Sequence, residues 1–260
     1  MAVDYDRAFA EVIVSRWSET PAEQRNAAAS PNRHGQLAPD APDSHALHDA
    51  FHYQRGHADV FREVYRKARH SPPRKGERLL VVDIGAGAAT VAVGLGEALK
   101  RSKRQRIDYR AFDPNPTMRE LGREILGHLG ANFRSADYIE SLEDVDFTDI
   151  DRLLFTLSYV AHQEAVAPAH IESWASVIKR AVGEVDRAVE LIYTTANLPE
   201  GAHLDLERML KGANVLKKQH PVDIRLRRRF PGPTGGDGPI SWDEHTRLWD
   251  VRAEHWILRT

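Results

Sequence analysis

The spacing of hydrophobic residues changes near residue 78. Before it, Tyr5, Phe9, Val12, Ile13 and Trp17 fall on one face of a first predicted helix. Thr20-Pro21-Ala22-Glu23 then has the order of an N-cap, a first-turn proline and a capping-box glutamate, which predicts a short second helix through Ala29. Ser30 to Ser44 is rich in Pro, Asp, Asn and Gly without periodicity, and reads as a loop or lid. From His45 to Arg69, Leu47, Phe51, Ala58, Phe61, Tyr65 and Ala68 keep helical spacing, with a break expected near Gly56. Pro72-Pro73 closes this region, so residues 1–73 are expected to form a helical cap and residues 74–260 a second unit.

After Arg78 the pattern alternates. Leu79–Ile84 is apolar at nearly every position, as a parallel strand covered on both faces requires. Ala88–Lys100 and Thr117–Leu129 are expected helices, the latter with Met118, Leu121, Ile125 and Leu129 in register. Further strands are predicted at Ile107–Phe112, Asn132–Ser135, Arg152–Tyr159 and Val189–Thr194, with a helix over Ile171–Val182. Strands separated by helices imply a doubly wound, mostly parallel α/β sheet with right-handed crossovers. The tail departs from this rule. Val222–Arg229 and His255–Leu258 are strand-like with no clear helix between them, so they are expected to pair antiparallel at a sheet edge.

Composition narrows the chemistry. The 260 residues carry a net charge of −2, which provides no global field towards nucleic acid or acidic membranes. There is no cysteine, which excludes disulfides, thiolate metal sites and a cysteine nucleophile within these residues. No apolar run is long enough to span a membrane and Met1–Thr20 lacks the basic-then-apolar order of a signal peptide, so a cytoplasmic protein is expected.

In an open α/β sheet, ligands bind beyond the carboxyl ends of the strands, where strand order reverses. Three signals fall at such ends. Asp83-Ile84-Gly85-Ala86-Gly87-Ala88-Ala89 breaks the first strand with a glycine turn that a nucleotide-like ligand can approach. Asp113, ending the second strand before Pro114, offers a carboxylate to both hydroxyls of a ribose. Asp137, in Ser135-Ala136-Asp137-Tyr138, can receive an amino group after the third strand.

Together these signals resemble the class I methyltransferases that use S-adenosylmethionine (SAM), over roughly Arg78 to Thr260. The resemblance implies a Rossmann-like sheet of seven strands with an antiparallel terminal strand. By position, Asp83, Gly85, Ala86 and Gly87 would hold the methionine portion, Asp113 and Pro114 the ribose, and Asp137 and Tyr138 the adenine, with Ser158 also on the cofactor side. Ala89 stands where the family usually has a third glycine. A nicotinamide dehydrogenase fits less well, because its third glycine would fall at Thr90 and Asp113 lies beyond the roughly 20 residues expected from the turn. The function so implied is transfer of a methyl group to an oxygen or nitrogen of a small-molecule or macromolecular acceptor.

The acceptor side is less marked. In Thr156-Leu157-Ser158-Tyr159-Val160-Ala161-His162-Gln163-Glu164, His162 and Tyr159 are candidate catalytic residues and Glu164 a substrate contact; a solvent-facing histidine and a packing tyrosine are the plain alternatives. Tyr53, Arg55 and His57 are expected to reach from the cap towards the substrate. His45, His48 and His52 share a helical face near Asp49, but a polar face explains them equally well and no metal site is assigned. Arg225, Arg227 and Arg229 alternate along an edge strand, the best hint of RNA as a partner. A looser resemblance, carried by Tyr53-Gln54-Arg55, Met118–Arg123 and Leu157–Val160, is to methyltransferase-like proteins of the small ribosomal subunit. It implies an RNA-associated assembly factor or rRNA methyltransferase as the alternative. Those proteins commonly carry a cysteine cluster, and this chain has none.

Overall fold

The computed structural model describes residues 5–29, 37, 40–68, 73–99, 101–129, 133–159, 168–196, 202–231 and 242–259, without the side chains of 101, 102, 196, 202, 225, 227–231 and 242–250. The amino-terminal helix comprises α1 (Tyr5–Phe9), a π-helical turn over Ala10–Val14 and α2 (Ser15–Glu19). The Thr20 hydroxyl bonds back to the Arg16 carbonyl at 2.8 Å, closing α2 rather than capping α3 (Ala22–Ala28). Helix α4 (Asp43–Lys67) runs for 25 residues without the break expected at Gly56. A mid-helix glycine costs only about 1 kcal/mol, and burial of Phe51, Val60, Phe61, Val64 and Tyr65 along the same helix outweighs it.

The sheet contains β1 (Leu79–Ile84), β2 (Ile107–Phe112), β3 (Ser135–Tyr138), β4 (Arg152–Ser158), β5 (Val189–Ala196), β6 (Lys218–Pro221), β7 (Ile224–Pro231) and β8 (Trp242–Arg259). Its order is β3-β2-β1-β4-β5-β8-β6, with β7 also on β8. The first five are parallel; β8 runs antiparallel to β5, and β6 and β7 antiparallel to β8. Although eight strands are present, β6 and β7 follow one another along β8 and the Val222 amide bonds the Ala253 carbonyl between them at 2.8 Å, so they share one sheet position. The seven-position sheet with an antiparallel end matches the sequence expectation. β3 begins three residues later than expected, which places Asp137 and Tyr138 inside the strand.

Alternation along β1 divides the core. Leu79 and Val81 pack with α4, α5 (Thr90–Ala98) and α7 (Pro116–Leu129), in a cluster that also takes in Phe9, Ile13 and Phe61 from the amino-terminal helices. Leu80, Val82 and Ile84 face α8 (Pro168–Glu184) and α9 (Ala202–Gly212). Helices α4 and α5 approach so closely that a Cβ on Gly94 would lie 2.9 Å from the Ala58 carbonyl. The short helix α6 (Arg101–Arg104) brings Arg104 inward, where its guanidinium bonds the carbonyls of Gly96 and Leu99. No helix among the described residues is long and apolar enough to cross a membrane.

Candidate functional site

Strand order reverses between β1 and β4, so the crevice at their carboxyl ends is the ligand position this sheet provides. The turn after β1 is built there. Gly85, Gly87 and Ala89 all have left-handed backbones, at φ of 70°, 54° and 62°. The Gly85 and Ala86 amides both donate to the Phe112 carbonyl, at 2.8 and 3.0 Å, which folds the turn onto the end of β2. Ala86 is buried, and Gly85 and Gly87 are half-buried, so solvent reaches the turn at these two glycines. A Cβ at Gly87 would meet only Thr90 Oγ1 at 3.8 Å; glycine is favoured there by backbone angle, not by lack of space.

Asp113 completes the crevice. Its Oδ2 accepts from the Gly87 amide at 2.8 Å and its Oδ1 from the Asn115 amide at 2.9 Å. Each oxygen keeps a lone pair for a further donor. Burial pushes the carboxyl up to about 6, against the Asn115 and Gly87 amides and the Arg119 guanidinium, which favour the charged form. Pro114 beside it is exposed. A half-buried glycine turn joined to a carboxylate with spare acceptor capacity fits a ribose-bearing cofactor.

Two other acids of the expected set sit differently. Asp83 is fully buried, with Oδ2 accepting from the Tyr109 hydroxyl at 2.5 Å and Oδ1 from the Thr156 hydroxyl at 2.7 Å. It does not reach the crevice surface as expected; it ties β1 to β2 and β4 beneath the turn. Burial raises its carboxyl to about 7, only partly countered by those two hydroxyls. Asp137 is exposed and accepts from the Tyr138 amide at 2.7 Å. The Tyr138 hydroxyl is committed to the turn, donating to the Gly87 carbonyl at 2.5 Å and accepting from the Ala89 amide at 2.8 Å.

On the acceptor side, Ser158 ends β4 with its hydroxyl 3.0 Å from that of Thr194. Tyr159 follows at φ 61°, a left-handed conformation uncommon for an aromatic residue. Its amide donates to the Thr194 carbonyl at 2.8 Å, and its ring lies flat on His57, centroids 3.7 Å apart and planes 4° from parallel. Tyr53 stacks on the same imidazole at 6.0 Å. The structure thus brings Tyr53, His57 and Tyr159 together at the end of β4. Arg55 is not among them. Its guanidinium is bound to Glu97 at 2.6 Å and Asp59 at 3.4 Å and lies over the Tyr5 ring, so it fastens α4 to α5 instead of facing a substrate. His162 and Glu164 lie outside the described residues. His48 and His52 pack against each other and Trp17, and no metal-binding group occurs among the described residues.

Sequence reasoning passed over Tyr109, Thr156, Asn115 and Gln54. The Gln54 amide donates to the Ala88 carbonyl and its oxygen accepts from the Tyr5 hydroxyl, linking the first helix to the turn through α4. A polar residue at an otherwise buried helical position was the available signal. A separate cleft of about 520 Å³ opens between Arg16, Gln24, Asp43, Leu47 and Thr117, and contains none of the expected site residues.

No known family model matches this chain, and no curated protein sequence does. Among solved structures, a magnesium protoporphyrin IX methyltransferase from Synechocystis, with SAM bound, aligns over 100% of this chain and 99% of its own at 15% identity and a TM-score of 0.44. A precorrin-6y methyltransferase from Geobacter metallireducens aligns over 76% and 87% at 14% identity and 0.45. An rRNA methylase from Streptococcus thermophilus aligns over 78% and 95% at 12% identity and 0.41. At these levels the likeness defines neither a family nor an activity.

Proposed function

We propose that this chain is a SAM-dependent methyltransferase, transferring a methyl group to an oxygen or nitrogen of a small-molecule or macromolecular acceptor. One observation carries the reading. The Asp113 carboxylate is joined to the Gly87 amide at 2.8 Å, in the crevice where strand order reverses. An acid with spare lone pairs beside an open peptide turn suits a ligand with a ribose diol and a charged chain.

The cofactor supplies an electrophilic methyl group on a sulfonium centre. The chain's tasks are then to orient this group, exclude water and hold an acceptor in line. Asp113 accepts from the ribose hydroxyls, and Gly85 and Gly87 present backbone to the chain of the ligand. Asp137, exposed at the end of β3, receives the adenine amino group. Asp83 positions the turn from below through Tyr109 and Thr156. Residues 1–73 serve as a cap over the unit formed by 74–260, with α4 placing Tyr53 and His57 against Tyr159. His162 is the proposed base and Glu164 a substrate contact. Such a protein works in the cytoplasm without membrane attachment.

Calorimetric titration with SAM and S-adenosylhomocysteine tests the reading. Wild-type protein is expected to bind both, with the heat lost in Asp113→Ala. Binding of a nicotinamide dinucleotide in their place would overturn it. Salt-sensitive RNA association without turnover of SAM would favour the ribosome-associated alternative.

A further inference from the structure

A second polar group sits one strand beyond Tyr159. On β5, Thr194 faces Ser158, while Tyr193 and Thr195 point to the opposite side, under α9. Tyr193 is 1% exposed, Thr195 0%, and His203, at the start of α9, 2%. The imidazole stacks on the Tyr193 ring, 5.1 Å away and 19° from parallel. Yet both ring nitrogens of His203 make no hydrogen bond with any described residue, and the hydroxyls of Tyr193 and Thr195 have at most each other. Buried polar atoms are rarely left so, because each forfeits its bonds to water. Two bare nitrogens on one buried imidazole, beside two hydroxyls with spare capacity, are not explained by packing.

Their surroundings define what the group can take. Arg252, opposite Thr195 on β8, is bound to Glu254 at 3.0 and 2.8 Å. Glu254 also accepts from the Trp256 indole at 2.7 Å. These two charges satisfy each other, so Tyr193, Thr195 and His203 present neutral donors and acceptors. Burial is the main cause lowering His203 below its ordinary value; Arg252 adds to it, against Glu254, Glu207 and Asp205. The ring is therefore neutral near pH 7, with one N–H and one bare nitrogen.

We infer that Thr195 and His203 bind the reacting group of the methyl acceptor, an uncharged hydroxyl or N–H, and that His203, in place of His162, takes its proton. This rests on the methyltransferase reading above. In the step, the acceptor's lone pair forms the new bond to the methyl carbon and the carbon–sulfur bond breaks with its electron pair remaining on sulfur. The acceptor proton passes to the bare nitrogen of His203 and from there to solvent. Tyr159 connects the two sides, because its amide is bonded to the Thr194 carbonyl beside Thr195.

The test uses the full chain, with methanol and formamide as the smallest neutral O–H and N–H probes. Nuclear magnetic resonance of labelled histidine should show the His203 ring signals shifting saturably with at least one probe. Thr195→Val should abolish the shift. His203→Phe keeps the stack on Tyr193 and Thr195→Val keeps the shape, so both variants should melt at or above the wild-type temperature. If both melt lower, the four atoms serve an internal water or the packing, and the inference falls. It falls also if neither probe moves the His203 signals. Binding of S-adenosylhomocysteine is measured on the same samples. Its loss in the wild type would overturn the methyltransferase reading, whereas intact binding with silent His203 signals would overturn this inference alone.

Discussion

The phenol oxygen of Tyr138 stands 2.8 Å from the amide nitrogen of Ala89, in the turn that follows β1. It bonds at the same time to the Gly87 carbonyl, so one side chain from β3 fixes both limbs of the turn. Its path runs over α7, where Gly122 leaves room for it: a Cβ there would fall 1.9 Å from the Tyr138 oxygen. Gly122→Ala must therefore displace the phenol. Overpacking of this kind costs about 1–3 kcal/mol, and denaturant titration should find a loss in that range. Cofactor affinity should fall with it by about tenfold or more, since 1.4 kcal/mol at the turn is one decade. Unchanged affinity would show that the turn keeps its shape without Tyr138.

On the proposed methyltransferase reading, Asp113 gives cofactor binding a pH dependence. Its carboxyl, raised by burial to about 6, must be ionised to accept from the Gly87 amide and from ribose hydroxyls together. Binding favours the charged form, so below pH 6 it has to expel a proton. Affinity for S-adenosylhomocysteine should be flat above pH 7 and fall about tenfold per unit below 6. Calorimetry across pH 5 to 8 measures the slope directly. Asp113→Asn should bind more weakly at every pH and lose the slope, while a slope surviving in that variant would assign it to another group.

The cap and the turn should prove coupled through Gln54. Its amide donates to the Ala88 carbonyl and its oxygen accepts from the Tyr5 hydroxyl, so α1, α4 and the turn share one side chain. Gln54→Leu keeps the volume but leaves the buried hydroxyl and carbonyl without this partner, at a cost of about 1–3 kcal/mol for each group left unsatisfied. Urea unfolding should show that loss, and hydrogen exchange should show faster opening of Ala88 to Val91. Faster exchange in the first helix alone would mean that the cap is anchored elsewhere.

The sheet was legible because β1 is apolar at nearly every position and Leu153–Leu157 of β4 almost as much so, as strands covered on both faces by helices are. The place of Asp113 at the carboxyl end of β2, beside the turn after β1, was legible because the strand-like run Ile107–Phe112 stops immediately before it. Asp83 misled because its sequence position is the same whether it points up into the crevice or sideways between strands. Tyr109 and Thr156, its partners, lie 26 and 73 residues away, and no local pattern links them. Arg55 failed similarly, its destination being set by Glu97 on another helix. His203 was missed because α9 itself was not anticipated. Leu206 and Leu210 mark its buried face, but its neighbours are mostly charged.

Asp83 makes the fold's stability depend on pH in a direction opposite to a surface carboxylate. Burial raises its carboxyl to about 7 in the folded protein, against an ordinary value near 3.8. Between these two values the unfolded chain has released the proton and the folded chain keeps it. The unfolded state thus binds fewer protons, and stability falls as pH rises through this window, by about 1.4 kcal/mol per unit for one group. The effect ends above pH 7, where both states are ionised. Asp83→Asn keeps a carbonyl for one of the two hydroxyls and has no proton to release. Comparing urea midpoints at pH 5 and pH 8, the variant should gain about 3 kcal/mol relative to wild type at the higher pH. If the difference between the two proteins is the same at both values, Asp83 stays ionised in the fold, and the bonds from Tyr109 and Thr156 outweigh its burial.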